Sequence, residues 1–416
     1  MRLHFPSSLR HRGFFFLWVG MAISFAGSQM QVWALFWHIR TLTAQPIALG
    51  GVGLARILPI IAFSLVGGAL ADVANRKRVL FVTQSLMALS ALALAWLTFR
   101  GHISLWHIYL LTAIQAVGIS FDSPSRQAMV PNLVPTRDLS NAFSMNSIAM
   151  QTGAIIGPAL GGLVIAYWGQ SYTYLINAAS YLAVIAALAL MGDVPQQIER
   201  TGRSGVSLGA IREGVQFILN HPIILATMLM DFFATFFSSA NTLMPIFARD
   251  VLHVGAIEYG WLSAAQSIGA VTAAAVLSQL GEIRRQGLIF LGAVLAFGVF
   301  TIGFGLARNL VMAILALVLV GASDSVSTII RNTIRQLQTP DYIRGRMTSV
   351  NQIFFMGGPQ LGEVEAGVAA QLIGAPLAVV TGGGGCILAV AWVVRRWPRL
   401  WSYNGDELAL AKVAAD

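Results

Sequence analysis

Residues 14–37 read FFFLWVGMAISFAGSQMQVWALFW, 24 positions without a charged side chain. An α-helix rises 1.5 Å per residue, so about 20 mostly apolar residues cross the hydrocarbon layer of a bilayer. The stretch follows a basic start, Arg2, Arg10 and Arg12, as a secretory signal does. A signal's apolar region is only about 7–15 residues long, so the stretch reads as a retained first membrane helix.

Runs of the same kind recur outward from it, near 46–71, 79–99, 105–128, 141–167 and 172–191, then near 222–248, 257–280, 286–306, 309–336, 346–373 and 376–395. The fourth, tenth and eleventh carry charges and fit least well. Lipid offers no hydrogen-bond partners, so a spanning backbone is either helix or closed barrel. Barrel strands show ten-residue alternation, which these runs lack. The expected fold is an all-α integral membrane protein with twelve transmembrane helices in two pseudo-symmetric six-helix bundles. The domains are residues 1–192, a linker 193–221, and residues 222–416 with a short tail.

Composition agrees. Hydrophobic residues make up 56% of the 416 and charged residues 10%, against about 25% charged in soluble domains. The net charge of +9 raises the question of nucleic acid. The basic residues sit in short clusters between apolar runs rather than in one stripe, so the partner is the lipid bilayer and no nucleic acid is expected. The lone Cys386 allows no internal disulfide and supports no metal site. The seven histidines, among them His38, His102 and His107, mostly lie near loops. No enzyme constellation and no P-loop is present, so ATP-driven transport is unsupported and no cofactor is expected.

Lys and Arg fix the expected orientation. With the N-terminus in the cytoplasm, 21 of the 26 fall in cytoplasmic segments. Four, Arg40, Arg100, Arg249 and Arg308, fall outside, and Arg56 lies inside the membrane. That is the positive-inside pattern, with both termini cytoplasmic. Trp37, Trp96, Trp106, Trp168 and Trp261 lie near the outer helix ends, where an interfacial belt or a packed core would hold them. In the polar stretch 192–221, Leu208, Ile211, Val215, Ile218 and Leu219 share one helical face. This predicts an amphipathic helix lying on the membrane.

The halves repeat. An offset of 205 carries Arg126 onto Arg331, Pro135 onto Pro340, Asn146 onto Asn351, Gly153 onto Gly358, Gly157 onto Gly362 and Gly162 onto Gly367. A repeat of half the chain is the mark of a duplicated transporter with its substrate site between the halves.

Between the second and third runs stands Gly68-Ala69-Leu70-Ala71-Asp72-Val73-Ala74-Asn75-Arg76-Lys77-Arg78. Gly68 is expected to let two helices approach closely, and Asp72 to meet a neighbouring helix N-terminus. Arg76, Lys77 and Arg78 hold the loop inside. The segment resembles the loop signature of the major facilitator superfamily, and the resemblance implies a gate built from Asp72 and Arg76. Ala74-Asn75 departs from the more polar or Gly-containing pair of many relatives. In the fifth run, Gly153, Gly157, Pro158, Gly161 and Gly162 resemble the glycine-proline motif of exporters in that superfamily. Glycines four apart flatten a helix face, and Pro158 removes a backbone hydrogen bond. Phe121-Asp122-Ser123-Pro124-Ser125-Arg126, Arg212-Glu213-Gly214, Arg344-Gly345-Arg346 and Leu361-Gly362-Glu363-Val364-Glu365 resemble its enterobactin-exporter-like branch, which includes siderophore and macrolide-type drug exporters.

An ionisable group in the bilayer costs about 2.5–3.5 kcal/mol, so each is a functional candidate. Asp122 and Arg126 share a face at i, i+4, as a structural pair or a functional one. Asp324 and Arg331 share a face at i, i+7, and Asp324 lies deeper. Asp231 has no basic neighbour in sequence and reads as a carboxyl that takes up a proton. Glu363 and Glu365 point about 200° apart, so one of them lines the pathway, Glu365 being favoured. Arg56 suits an anionic substrate or one of these acids. The expected function is secondary export of a small amphipathic molecule, such as a siderophore, macrolide or other drug-like compound, by a monomer in exchange for protons, in a bacterial inner membrane. Solute uptake, a lipid scramblase and a non-transporting receptor are the alternatives.

Overall fold

The computed structural model describes residues 6–192, 194, 196, 208–237, 240–280 and 283–405. Some helical side chains, including those of Asp72, Leu208, Ile211, Arg344 and Arg346, lie outside the description. The described residues form helices joined by short turns. The first six predicted segments become α1 (Arg12–Leu42), α2 (Ile47–Val73), α3 (Arg76–Phe99), α4 (Leu105–Leu133), α5 (Leu139–Trp168) and α6 (Gln170–Leu190). The linker contributes α7 (Leu208–Asn220). The seventh segment holds α8 (Pro222–Phe237), α9 (Ala240–Ile246) and a π-helical turn, Phe247–Val251. Then come α10 (Ala256–Leu277), α11 (Gln286–Gly305), α12 (Leu310–Gln338), α13 (Asp341–Ile373) and α14 (Ala375–Arg396).

Among the described residues, ten helical stretches are long and apolar enough to cross a membrane. Of the twelve segments, α4 and α13 fall short, because each carries charges and proline within its helix, which lowers its hydropathy. The tenth segment, α12, was expected to be weak but is among the ten, since Asp324 is the one charge in its first 21 residues, with Arg331 and Arg335 near its end. Large apolar side chains such as Leu58, Leu89, Val311 and Leu388 are exposed, as lipid-facing positions should be.

The chain divides into two compact units, and the division does not fall at one point. The first holds Met1–Ala44, Leu54–Val206 and Gly255–Ala264. The second holds Gln45–Gly53, Ser207–Val254 and Ala265–Asp416. In the first, α1 packs on α5 and α6, and α3 on α4 and α6. In the second, α8 packs on α13 and α14, and α11 on α12 and α14, the same four pairings one repeat later. The offset of 205 holds to the residue at helix ends: α4 starts at 105 and α12 at 310, α6 at 170 and α14 at 375. The turns between the last two helices of each unit also match. Gly169 has φ +86° and Gly374 φ +83°, a region that disfavours any side chain.

Of the apolar face expected on the linker helix, Leu208 and Ile211 lie outside the described side chains, and the other three divide between buried and exposed. α7 buries Gly214, Phe217 and Ile218, while Val215 and Leu219 are exposed. Phe217 and Ile218 pack with Ile224, Met228, Ile343, Met347 and Val350 of α8 and α13. This face therefore rests on protein, and the exposed Val215 and Leu219 are left for the surface. Four of the five belt tryptophans, Trp96, Trp106, Trp168 and Trp261, are exposed, whereas Trp37 packs on Tyr259 with ring centroids 4.9 Å apart.

Candidate functional site

In the first unit the α2–α3 loop is tied down on three sides. Asn75 caps α3, its side chain accepting from the Arg78 backbone N–H at 3.1 Å, which gives the departure at 74–75 a structural use. Arg76 donates from Nη1 to the Ala128 carbonyl (3.1 Å) and to Asn132 Oδ1 (2.8 Å) at the end of α4. Its backbone N–H reaches Gln196 Oε1 at 3.2 Å, and Lys77 Nζ donates to the Gly192 carbonyl at 2.7 Å. Gly68 is not the close-approach glycine: a Cβ there would meet nothing within 4 Å among the described residues. Gly67 is, because a Cβ there would collide with the Ser120 carbonyl of α4. Neighbouring helix positions lie about 100° apart, so one step of sequence separates a contact face from an open one.

The glycine-proline stretch of α5 serves two neighbours. A Cβ on Gly153 would lie 2.9 Å from Phe25 Cβ, and one on Gly157 2.7 Å from the Ala26 carbonyl, so this face lets α1 approach backbone to backbone. Gly161 faces Met30 more loosely, at 3.5 Å. Gly162 and Pro158 turn to the 255–264 stretch of the same unit, where a Cβ on Gly260 would sit 2.7 Å from the Pro158 carbonyl. The second unit repeats this crossing: a Cβ on Gly367 would be 3.0 Å from Gly50 Cα. Glu363, the repeat of Pro158, lies beside Gly53, its Cβ 2.9 Å from where a Gly53 Cβ would be. Glu365 is half-buried on the same helix.

Two arginines related by the repeat are treated differently. Arg126 pairs with Asp122 on its own helix and lies over the Phe25 ring at 5.2 Å. Asp122 is fully buried and also accepts from Gln84 Nε2 (2.7 Å) and Thr83 Oγ1 (3.2 Å). Arg331 shares a face of α12 with Asp324, seven residues away. Its ion pair is instead with Asp231 of α8, Nη1 to Oδ1 at 2.5 Å, with both side chains 3% exposed. Asp231 therefore does have a basic partner, one that sequence distance concealed, since α8 and α12 meet only in the folded bundle. One turn on, buried Arg335 donates to Asn332 Oδ1 (2.5 Å) and to Asn351 Oδ1. Arg335 was not among the predicted site residues, although its spacing from Arg331 marks the same helix face. Arg56 lies 5.6 Å from the centre of the Phe36 ring, a cation–π contact within the first unit.

Sequence reading also missed a chain of carboxamides. Asn177 Nδ2 donates to Gln31 Oε1 at 2.7 Å, and Gln31 Nε2 donates to Gln115 Oε1 at 2.6 Å. All three are buried. The signal was an amide in each of three apolar runs. His38 is buried too, about one turn from the end of α1, its Nδ1 3.0 Å from Tyr174 Oη.

With this geometry in view, the chain matches the major facilitator family described as transmembrane secretion effector, over residues 5–411. The chain belongs to this family. It is similar to an enterobactin exporter of Citrobacter koseri, 28% identical over 326 residues that cover 77% of this chain and 76% of that one. An enterobactin exporter of Escherichia coli is 28% identical over 334 residues, 78% of each chain. Among solved structures, a bacterial homologue of the human lysosomal transporter Spinster, inward-facing and occupied, aligns with TM-score 0.75 at 14% identity over 93% of this chain and 97% of that one. A nucleoside transporter aligns with TM-score 0.72 at 13% identity, over 92% and 100%. As a member of the major facilitator family, the protein is a multi-pass membrane transporter of a small molecule and not an enzyme.

Proposed function

We propose that the protein is a secondary active exporter of a small amphipathic molecule, of the siderophore or drug-like class, working by proton antiport and alternating access. In this reading its halves are residues 1–192 and 222–416, joined by the linker 193–221, with both termini inside the cell and a single copy as the working unit. Export is supported by the glycine-proline stretch of α5 and by the names of the relatives, two enterobactin exporters.

The observation that carries the coupling is the Asp231–Arg331 pair. It is buried, and its two charges come from different helices. Protonation of Asp231 removes the attraction that joins α8 to α12 and leaves Arg331 charged without its counter-ion. A conformation in which Arg331 finds another acceptor, a second carboxylate or an anionic substrate, then becomes the better one. Asp122–Arg126 is less suited: its charges share one helix, and two further donors hold the carboxylate. Asp324 on α12, and Glu363, Glu365 and Arg56, are the remaining candidates for the pathway.

The test is reconstitution. Vesicles holding wild-type protein and an acid-inside gradient should accumulate a catecholate siderophore, with protons leaving as it enters. Asp231→Asn should abolish the proton movement while equilibrium binding of the siderophore persists. If Asp231→Asn couples flux to the gradient at the wild-type ratio, the carrier lies elsewhere, and Glu365 is the next residue to change.

A further inference from the structure

On α3 and α4 of the first unit, four buried polar side chains each keep one atom without a hydrogen-bond partner among the described residues: Thr112 Oγ1, Gln115 Nε2 and Ser125 Oγ on α4, and Gln84 Oε1 on α3. Their residues are 3%, 8%, 0% and 4% exposed. Buried polar groups are nearly always matched, and inside a membrane bundle bulk water cannot reach them.

The unmatched atoms fall in two places. Ser125 lies one turn from Asp122 on α4, and Gln84 touches Asp122 directly. Asp122 is held as an acceptor by Arg126 and Thr83, so Gln84 must present its NH2 group there and turn Oε1 away. Rotating the amide would set Oε1 against a carboxylate, acceptor against acceptor, and leave the NH2 group unmatched instead. Thr112 and Gln115 lie one turn apart on the same helix, and Gln115 ends the amide chain that begins at Asn177. Between the two places, Met87 Cγ lies 2.8 Å from where a Cβ on Gly118 would be, so a methionine side chain separates them.

We propose that the first unit binds internal water at two sites along α4, one between Gln84 and Ser125 beside the Asp122–Arg126 pair, the other between Thr112 and Gln115. Water suits both because it donates and accepts. Gln84 Oε1 needs a donor, Gln115 Nε2 an acceptor, and the hydroxyls serve as either. A metal cation suits neither: Arg126 already balances Asp122, and an amide NH2 group repels a cation. A buried water makes about three hydrogen bonds and is costly to remove. At the lower site it gives the ion pair a polar surrounding inside an apolar bundle.

Isosteric replacement tests this in lipid nanodiscs, read by the thermal unfolding midpoint. If water is bound, Thr112→Val and Ser125→Ala remove one of its partners and leave another buried group unmatched, so each midpoint falls by about 2–4 °C. If the sites are dry, each change deletes an unsatisfied hydroxyl and the midpoint rises, which overturns the proposal. Exchanging choline for sodium should leave the wild-type midpoint unchanged; a sodium-dependent rise lost in Ser125→Ala would assign the lower site to a cation instead. Should a variant fail to fold, wild-type density at a resolution that shows ordered water decides: water at both positions supports the proposal, and protein partners for all four atoms refute it.

Discussion

Asp231 and Arg331 hold each other at 2.5 Å with almost no exposure, so neither is expendable alone. Removing one partner of a buried pair costs about 3–5 kcal/mol, because the other charge stays behind, whereas replacing both is often neutral. Asp231→Asn and Arg331→Gln should therefore each lower the unfolding midpoint sharply, and the double variant should recover most of the loss. A double variant no more stable than the worse single one would show that the two do not act as a unit. The glycines of the α2 end give a second contrast. Gly67→Ala places a Cβ against the Ser120 carbonyl and should cost about 1–3 kcal/mol by overpacking. Gly68→Ala meets nothing within 4 Å among the described residues and should gain up to about 1 kcal/mol from helix propensity. Urea unfolding of the two variants side by side checks the sign.

At the scale of the element, α14 carries four consecutive glycines, Gly382 to Gly385. Three of them are contacts. Gly382 meets the Phe237 carbonyl, Gly385 the Phe237 ring at 2.9 Å, and Gly383 the Gly298 carbonyl at 2.7 Å. Thus α8 and α11 approach α14 from different sides, and small residues replace the hydrophobic drive that lipid removes. Gly384 has nothing within 4 Å among the described residues. An alanine scan should show Gly382→Ala, Gly383→Ala and Gly385→Ala lowering the melting temperature and Gly384→Ala raising it. A uniform response across the four would mean that the run serves helix flexibility rather than packing. The offset of 205 makes a related claim for the crossings at Gly162 and Gly367: Gly162→Val and Gly367→Val should impair the folded yield to a similar degree, since each forces a side chain into an equivalent backbone crossing.

For the whole molecule, the 21-to-4 division of basic residues predicts that the N-terminus, the 192–221 loop and the C-terminus share the cytoplasmic side. A phosphatase fused after Asp416, active only outside the membrane, should be silent, and one inserted after Arg100 active; the reverse pattern would invert the topology. Asp72→Asn should slow siderophore export while leaving insertion intact, because its proposed work is to bias one conformation. Transport at the wild-type rate in Asp72→Asn vesicles would remove Asp72 from the gate.

The bilayer's demands made the helical fold legible in one dimension. A spanning segment satisfies its own backbone and must be about 20 apolar residues long, so each helix announces itself locally, and a duplication doubles the signal. The ends of α4 and α12 at 105 and 310 show how closely that holds. The sequence by itself also determined that the buried charges were few enough to name. Only the tertiary structure decided their partners. Arg331 met Asp231 across 100 positions rather than Asp324 seven away, because ion pairing follows distance in space and two packed helices bring remote residues closer than two turns of one helix. It likewise decided that Gly67 and not Gly68 is the contact, that α7 rests on Ile343 and Met347, and that the amides Gln31, Gln115 and Asn177 join in one chain. Each depends on which face of a helix turns inward, and in helices apolar all round the hydrophobic pattern does not record that choice.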